Sequence, residues 1–178
     1  MQKILFTTSL LFFFLYSNAQ KLPVNPKSGK ITFMKTLDAK GLTSQQLYDI
    51  VKKWGETKKI IITEDNPGSK IVYKGVCNIE YPTARSSEKS KGDVNYKFQF
   101  GAKDGKYRYI FTDFIHTGKP ENAGALENIE PDCGLHKITI RGWTLIKKTT
   151  RLEILKLIES LTKKITAEQN DPTKSDDW

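Results

Sequence analysis

Residues 97–114 read KFQFGAKDGKYRYIFTDF, two runs of alternating aromatic and polar side chains joined at Asp104-Gly105. An Asp-Gly pair between alternating hydrophobics is a strong local signal for a two-residue β-hairpin, with a type I′ turn expected. Counting outward from that turn sets Lys103 against Lys106, Phe100 against Tyr109 and Phe98 against Phe111. Side chains alternate along a strand, so Phe98, Phe100, Tyr109 and Phe111 share one face. Lys97, Gln99, Arg108, Ile110 and Thr112 share the other. A nucleic-acid platform needs aromatic and basic groups on the same exposed face, and here the strand period separates them. The aromatic side therefore reads as core, and the polar side as a candidate contact surface.

Elements on either side can cover that core. Residues 31–37, ITFMKTL, have the length and β-branched and aromatic content of a strand. Thr43-x-x-Gln46 is a capping-box pattern, and Leu42 and Leu47 occupy hydrophobic-staple positions around it. Leu47, Ile50, Val51 and Trp54 then recur at i, i+3, i+4 and i+7, which predicts a helix over about 44–54, closing near Gly55. A short β-rich run follows at 59–63, then a turn in EDNPGS, residues 64–69. In residues 71–81, IVYKGVCNIEY, Ile71, Tyr73, Cys77, Ile79 and Tyr81 alternate with Lys74, Asn78 and Glu80, the pattern of a half-buried strand. Residues 82–93 are polar and unpatterned and read as an exposed, mobile loop. Residues 117–134 are long for a loop inside a domain and read either as a lid or as disorder. Residues 136–140 resemble a short strand, with Arg141-Gly142-Trp143 as a corner. Leu152, Leu155, Ile158, Leu161 and Ile165 predict a second amphipathic helix over about 150–165. Packing of that helix on the sheet is expected rather than membrane binding.

The order of elements is strand, helix, four strands, helix. LTSQQLYDIVKKW, KIVYKG and YKFQFGAKDGKYRYIFTDF occur in that order, and together they resemble the DUF4468 family of exported bacterial proteins. The similarity covers about residues 31–115 plus a helix near the C-terminus. Its most specific marks are the Leu47-Tyr48 to Trp54 helix, the Gly75 strand and the Asp104-Gly105-Lys106-Tyr107-Arg108 hairpin. The resemblance implies a TBP-like α+β fold: an antiparallel sheet of about five strands, two helices packed on one face, in the order β-α-β-β-β-β-α. It implies no activity, since the family has none assigned, and a TBP-like fold does not imply DNA binding. Residues 117–134 depart from the compact family pattern.

Composition and chain ends bound where such a domain acts. Residues 1–19 have the three regions of a signal peptide: Lys3, an apolar run over 4–16, and the small-x-small pattern Ser17-Asn18-Ala19. The run is too short for a stable transmembrane helix, which needs about 20 apolar residues. Cleavage makes the protein periplasmic or secreted. The 178-residue chain less its first 19 residues is 159 residues, enough for one domain. Residues 20–30 read as an extended lead-in, 31–168 as the domain and 169–178 as a polar tail. The formal net charge of +9 loses only Lys3 on cleavage, leaving +8. That excess attracts anionic polymers or headgroups, although a solvated surface explains it better, since the lysines are spread through the chain. Export makes nucleic acid a poor physiological partner. Cys77 and Cys133 either pair, in a compartment where disulfides persist, or stand as two separate small thiols.

Searching the sequence for chemistry returns little. His116 and His136 are its only histidines and neither lies in a nucleophile motif. Cys133-Gly-Leu-His136 has zinc-like spacing, with Cys77 or His116 available as a third ligand, but structural zinc sites carry two paired clusters and this is one. Asp113, Glu80 and Glu130 are candidate carboxylates without a pattern to raise them above a solvated surface. Gly101 and Gly105 precede a strand, unlike a phosphate loop. No metal or cofactor is expected. The leading expectation is a binding module of the cell envelope, contacting a protein, peptide or anionic glycan through an open sheet face that bears Lys74, Lys97, Gln99 and Arg108, or through residues 117–134. The alternative is an envelope hydrolase using Asp113 or Glu80 with His116.

Overall fold

The computed structural model describes residues 22–82, 89–118 and 121–171. The signal peptide read at 1–19 and residues 172–178 of the polar tail lie outside them. Strand β1 (Phe33–Asp38) leads through Thr43 to helix α1 (Ser44–Thr57). Strands β2 (Ile61–Asn66), β3 (Lys70–Pro82), β4 (Lys89–Lys103) and β5 (Lys106–Gly118) follow. A two-residue β6 (Gly124–Ala125) and a long helix α2 (Ile140–Gln169) complete the chain. The strands form one antiparallel sheet in the order β1-β5-β4-β3-β2, with β6 added beside β5. Both helices lie on the face that carries the aromatic side of the hairpin.

The central hairpin has the expected register, with Phe98 opposite Phe111 and Phe100 opposite Tyr109. Phe98 stacks on Phe111 at 4.4 Å between ring centroids and on Tyr73 at 5.5 Å, while Trp54 of α1 meets Phe98 edge-on. Offset and edge-on pairs of this kind add about 0.5–1.5 kcal/mol beyond their area burial. The expected capping box is present, Thr43 and Gln46 exchanging both hydrogen bonds. The helices are tied to each other and to the sheet by polar links: Trp54 Nε1 donates to Ser160 Oγ (3.2 Å) and Tyr73 Oη donates to the Val51 carbonyl (3.1 Å).

Tertiary contacts redirect several local expectations. The hairpin turn is not type I′, because Asp104 does not have the positive φ that type requires; only Gly105, at +70°, does. The α1 entrance decides this. Asp104 Oδ1 accepts from Ser44 N (2.7 Å), Gly105 N donates to the Leu42 carbonyl, and Ala39 N donates to the Gly105 carbonyl. Beyond Thr112 the regular ladder breaks at a bulge where Asp113 takes φ +58°. One extra residue inverts the alternation, so Phe114 and His116 both point into the core.

Half of the segment read as a mobile loop is sheet: Pro82 pairs with Lys89 and residues 89–93 run on along β4, while residues 83–88 lie outside the described ones. The lead-in is not extended either. Val24 bridges to Ile31 and Asn25 N donates to the Lys30 carbonyl, closing a tight turn that packs Leu22 on the core. Residues 136–140 form no strand. They turn into α2, which Thr139 caps by accepting from Gly142 N (3.1 Å), so the expected corner at 141–143 is the first helical turn. The buried stripe of α2 is Trp143, Ile146, Thr150, Ile154, Leu161 and Ile165, whereas Leu152 and Leu155 are exposed. Thr150 survives in that stripe because its hydroxyl donates to the Ile146 carbonyl one turn back (2.9 Å). Among the described residues no helix is long and apolar enough to cross a membrane.

Candidate functional site

Among the described residues no helix covers the face of the sheet away from α1 and α2, and register fixes its order. Residues directly opposite one another share a face, so the rows can be read across the strands. Ile61, Lys74, Lys97 and Thr112 form one row; Glu64, Val72, Gln99, Ile110 and Met34 the next; Asn66, Lys70, Gly101, Arg108 and Thr36 a third. All four residues expected at this surface, Lys74, Lys97, Gln99 and Arg108, therefore lie on the open face. Lys74 and Arg108 are exposed, and Lys97 and Gln99 half-buried.

Charge on this face is unevenly compensated. Lys74 stands directly opposite Lys97, and Lys103 directly opposite Lys106, arrangements that are mutually repulsive. Among the described residues none of Lys74, Lys97, Lys103, Lys106 or Arg108 has an ion-pair partner. Lys70 does: it donates to Glu64 at 2.7 Å. That bond chiefly holds the exposed Glu64 carboxyl below its ordinary range, with the nearby Lys97 charge adding to it. Apolar side chains are interspersed: Met34, Ile61, Val76 and Ile115 are about half or more exposed. They are outward partners in the same ladder, Val76 through Asn95 to Ile115 and Met34 against Ile110.

At the hairpin end this face sinks into a cavity of about 440 Å³ around Gly101. Among the described residues its polar side chains are Thr36, Ser69, Lys70, Gln99, Lys103, Lys106 and Arg108, with Ile110 and parts of Phe100, Ala102 and Tyr107 completing the wall and no carboxylate. Sequence reasoning missed Gly101, Lys70, Lys103 and Lys106. Gly101, Lys103 and Lys106 were within reach, because the hairpin count sets Gly101 opposite Arg108 and Lys103 opposite Lys106; Lys70 was not, because its place depends on the β3–β4 pairing.

The residues proposed for hydrolysis do not converge. His116 is fully buried on the helix side, where Ala123 N donates to its Nδ1 (3.3 Å) and the rings of Tyr81 and Trp143 stand edge-on to it. Its Nε2 is buried without a hydrogen-bond partner among the described residues. Burial lowers its pKa from the ordinary histidine value, opposed only by the Asp93 charge. This is a neutral core imidazole. Glu80 is exposed on the opposite face, 4.0 Å from Lys91. Asp113 is held on its bulge by Lys30.

Cys77 and Cys133 are free thiols, so the bridge considered from the sequence is not formed. Cys77 is buried in the β3 core, and burial pushes its pKa up to about 12. Cys133 is half-buried and near an exposed His136, and among the described residues no group of three His, Cys, Asp or Glu side chains could hold a metal ion. The 121–134 segment is fastened down rather than free to act as a lid. Leu126 N donates to the Phe114 carbonyl (3.0 Å), Trp143 Nε1 and Lys147 Nζ both donate to the Asn128 carbonyl, and Ala123 and Leu126 are buried.

No curated protein matches the sequence at a significant level. Two solved structures share the architecture. A DUF4468 family protein from Bacteroides ovatus superposes with a TM-score of 0.64 at 20% identity, covering 84% of this chain and 94% of its own. A TBP-like protein from Parabacteroides distasonis gives 0.61 at 13% identity, covering 82% and 97%. At such identities the likeness establishes the fold. Residues 33–117, from β1 through the hairpin nearly to the end of β5, match the family model described as a domain of unknown function (DUF4468) with TBP-like fold.

Proposed function

We propose that the protein is an exported, non-enzymatic binding module of the cell envelope, and that its open sheet face is the contact surface for an anionic partner. The observation that carries this reading is the in-register set of cations without an ion-pair partner among the described residues, Lys74 against Lys97 and Lys103 against Lys106 with Arg108 beside them. Like charges held face to face cost stability in the free protein, and a bound anion would offset that cost. The exposed Met34, Ile61, Val76 and Ile115 supply apolar area around the charges. The 121–134 segment is the weaker candidate, since its polar backbone is engaged by β5 and α2. The enzyme reading has no support in the disposition of His116, Glu80 and Asp113, which lie on different faces with separate partners.

Retention of the purified protein on the isolated native envelope fraction tests this reading. Lys74→Glu/Lys97→Glu should lower retention about tenfold or more, while Lys40→Glu/Lys53→Glu, the same charge change away from the open face, should leave it within about twofold. Equal losses in both pairs would reduce the effect to net charge and overturn the assignment of the face, as would failure of the wild type to be retained.

A further inference from the structure

Gly101 lies within β4, the middle strand of the sheet, two residues before the strand's hairpin end. Glycine weakens a strand and normally answers to a need for unusual backbone or for close packing. Neither applies here. Gly101 does not have a positive φ, and a Cβ built on it would meet nothing closer than the Ser69 carbonyl at 4.0 Å. Gly75 on β3 is the contrast, since a Cβ there would lie 2.2 Å from the Tyr96 ring. What the missing side chain at Gly101 does create is the slot in the open face.

Four neighbours surround that slot. Lys70 and Arg108 stand opposite Gly101 on the flanking strands, about 10 Å apart across two strand spacings. Gln99 and Lys103 stand two residues away on either side along β4, about 7 Å from Gly101. Every one of the four is a hydrogen-bond donor and three are cations. The neighbouring acids stand outside the lining: Glu64 is engaged by Lys70, Asp38 stands opposite Lys106, and Asp104 in the turn accepts from Ser44 N. Ile110 and the side-chain stems of Arg108 and Lys103 give the slot apolar walls.

We propose that this slot binds one acidic sugar unit, a uronic acid or a sulfated sugar, of an anionic glycan. The volume of about 440 Å³ suits a ligand of that size. The oxyanion would be held between Arg108 and Lys103, while hydroxyls take Gln99, Ser69 and Thr36. A peptide fits this position less well. Both edges of β4 are already hydrogen-bonded to β3 and β5, so an extended main chain would find no strand edge to pair with in the slot. Recognition there must run through side-chain donors, which match the hydroxyls and oxyanion of a sugar.

The inference rests on the open face being the contact surface, and its test separates the two. Calorimetric titration of the purified protein with a uronic-acid trisaccharide, a sulfated trisaccharide, a neutral trisaccharide and an acidic tripeptide should give measurable affinity for one or both of the acidic sugars. It should be at least about tenfold tighter than for the neutral sugar, the difference expected from one charge-assisted hydrogen bond. Gly101→Val, which fills the slot, and Arg108→Gln should each weaken acidic-sugar binding about tenfold or more, while Lys40→Glu/Lys53→Glu should not. If Gly101→Val fails to fold, Arg108→Gln decides. Equal affinity for the neutral sugar, tighter binding of the acidic tripeptide, unchanged binding in the slot variants, or no binding by the wild type would each overturn the proposal. With the slot overturned, loss of envelope retention in Lys74→Glu/Lys97→Glu would still support the open face.

Discussion

Two glycines in neighbouring strands carry opposite consequences. Gly75 lies under the Tyr96 ring directly across from it, so Gly75→Ala forces the ring or the strand to move and should cost about 1–3 kcal/mol. Gly101→Ala meets open space and removes freedom from the unfolded chain, so it should be neutral or stabilising by about 0.4–1 kcal/mol. Denaturant midpoints of the two variants check this, and a comparable loss in both would mean that Gly101 has a packing role. His116 offers a second check. Its folded pKa is below the ordinary value of about 6.5, so the unfolded chain takes up the proton first as pH falls. The stability it contributes is complete above about pH 6.5 and declines as the pH drops from there through the folded value. The thermal midpoint should therefore fall further between pH 7.5 and 5.5 in the wild type than in His116→Leu, even though that variant starts lower. Parallel falls would show that the imidazole does not govern this window.

At the level of elements, what could be read from the sequence was whatever local chemistry dictates. The capping box of α1, the alternation of β3 and the register of the hairpin are all short-range patterns, and they hold in the fold. What could not be read was decided at long range. The turn at Asp104-Gly105 yields to hydrogen bonds from residues 39–44, some 60 positions away in sequence. The start of α2 was hidden because its buried stripe runs through Thr150 and because Thr139 and Gly142 look like a turn until the helix forms on them. The bulge at Asp113 left no hydrophobic signature, yet it turns Phe114 and His116 inward. That bulge can be probed directly. Asp113→Gly should change stability by less than about 0.5 kcal/mol, since glycine accepts the positive φ and the lost pair with Lys30 is on the surface. Asp113→Val should cost about 1–3 kcal/mol, because a β-branched residue is strained at φ +58°. Chemical denaturation of both distinguishes backbone strain from loss of the ion pair, which would affect them equally.

Across the whole molecule, one sheet separates two kinds of surface. The helix side gathers the aromatic rings of β3, β4 and β5 under α1 and α2. The open side carries the four residues read from the hairpin and strand patterns, together with a slot that is completed by Lys70 only when β3 is laid against β4. The face was thus legible from alternation alone, and its relief was not. On our reading this division assigns stability to one side and recognition to the other, and protection of individual lysines measures it. Acetylation of the purified protein with and without the native envelope fraction, read residue by residue, should show Lys74, Lys97, Lys103 and Lys106 shielded on binding while Lys40, Lys53 and Lys156 react as before. Shielding of Lys53 and Lys156 on the helix side, with the open-face lysines unchanged, would contradict the assignment of the sheet as the contact surface.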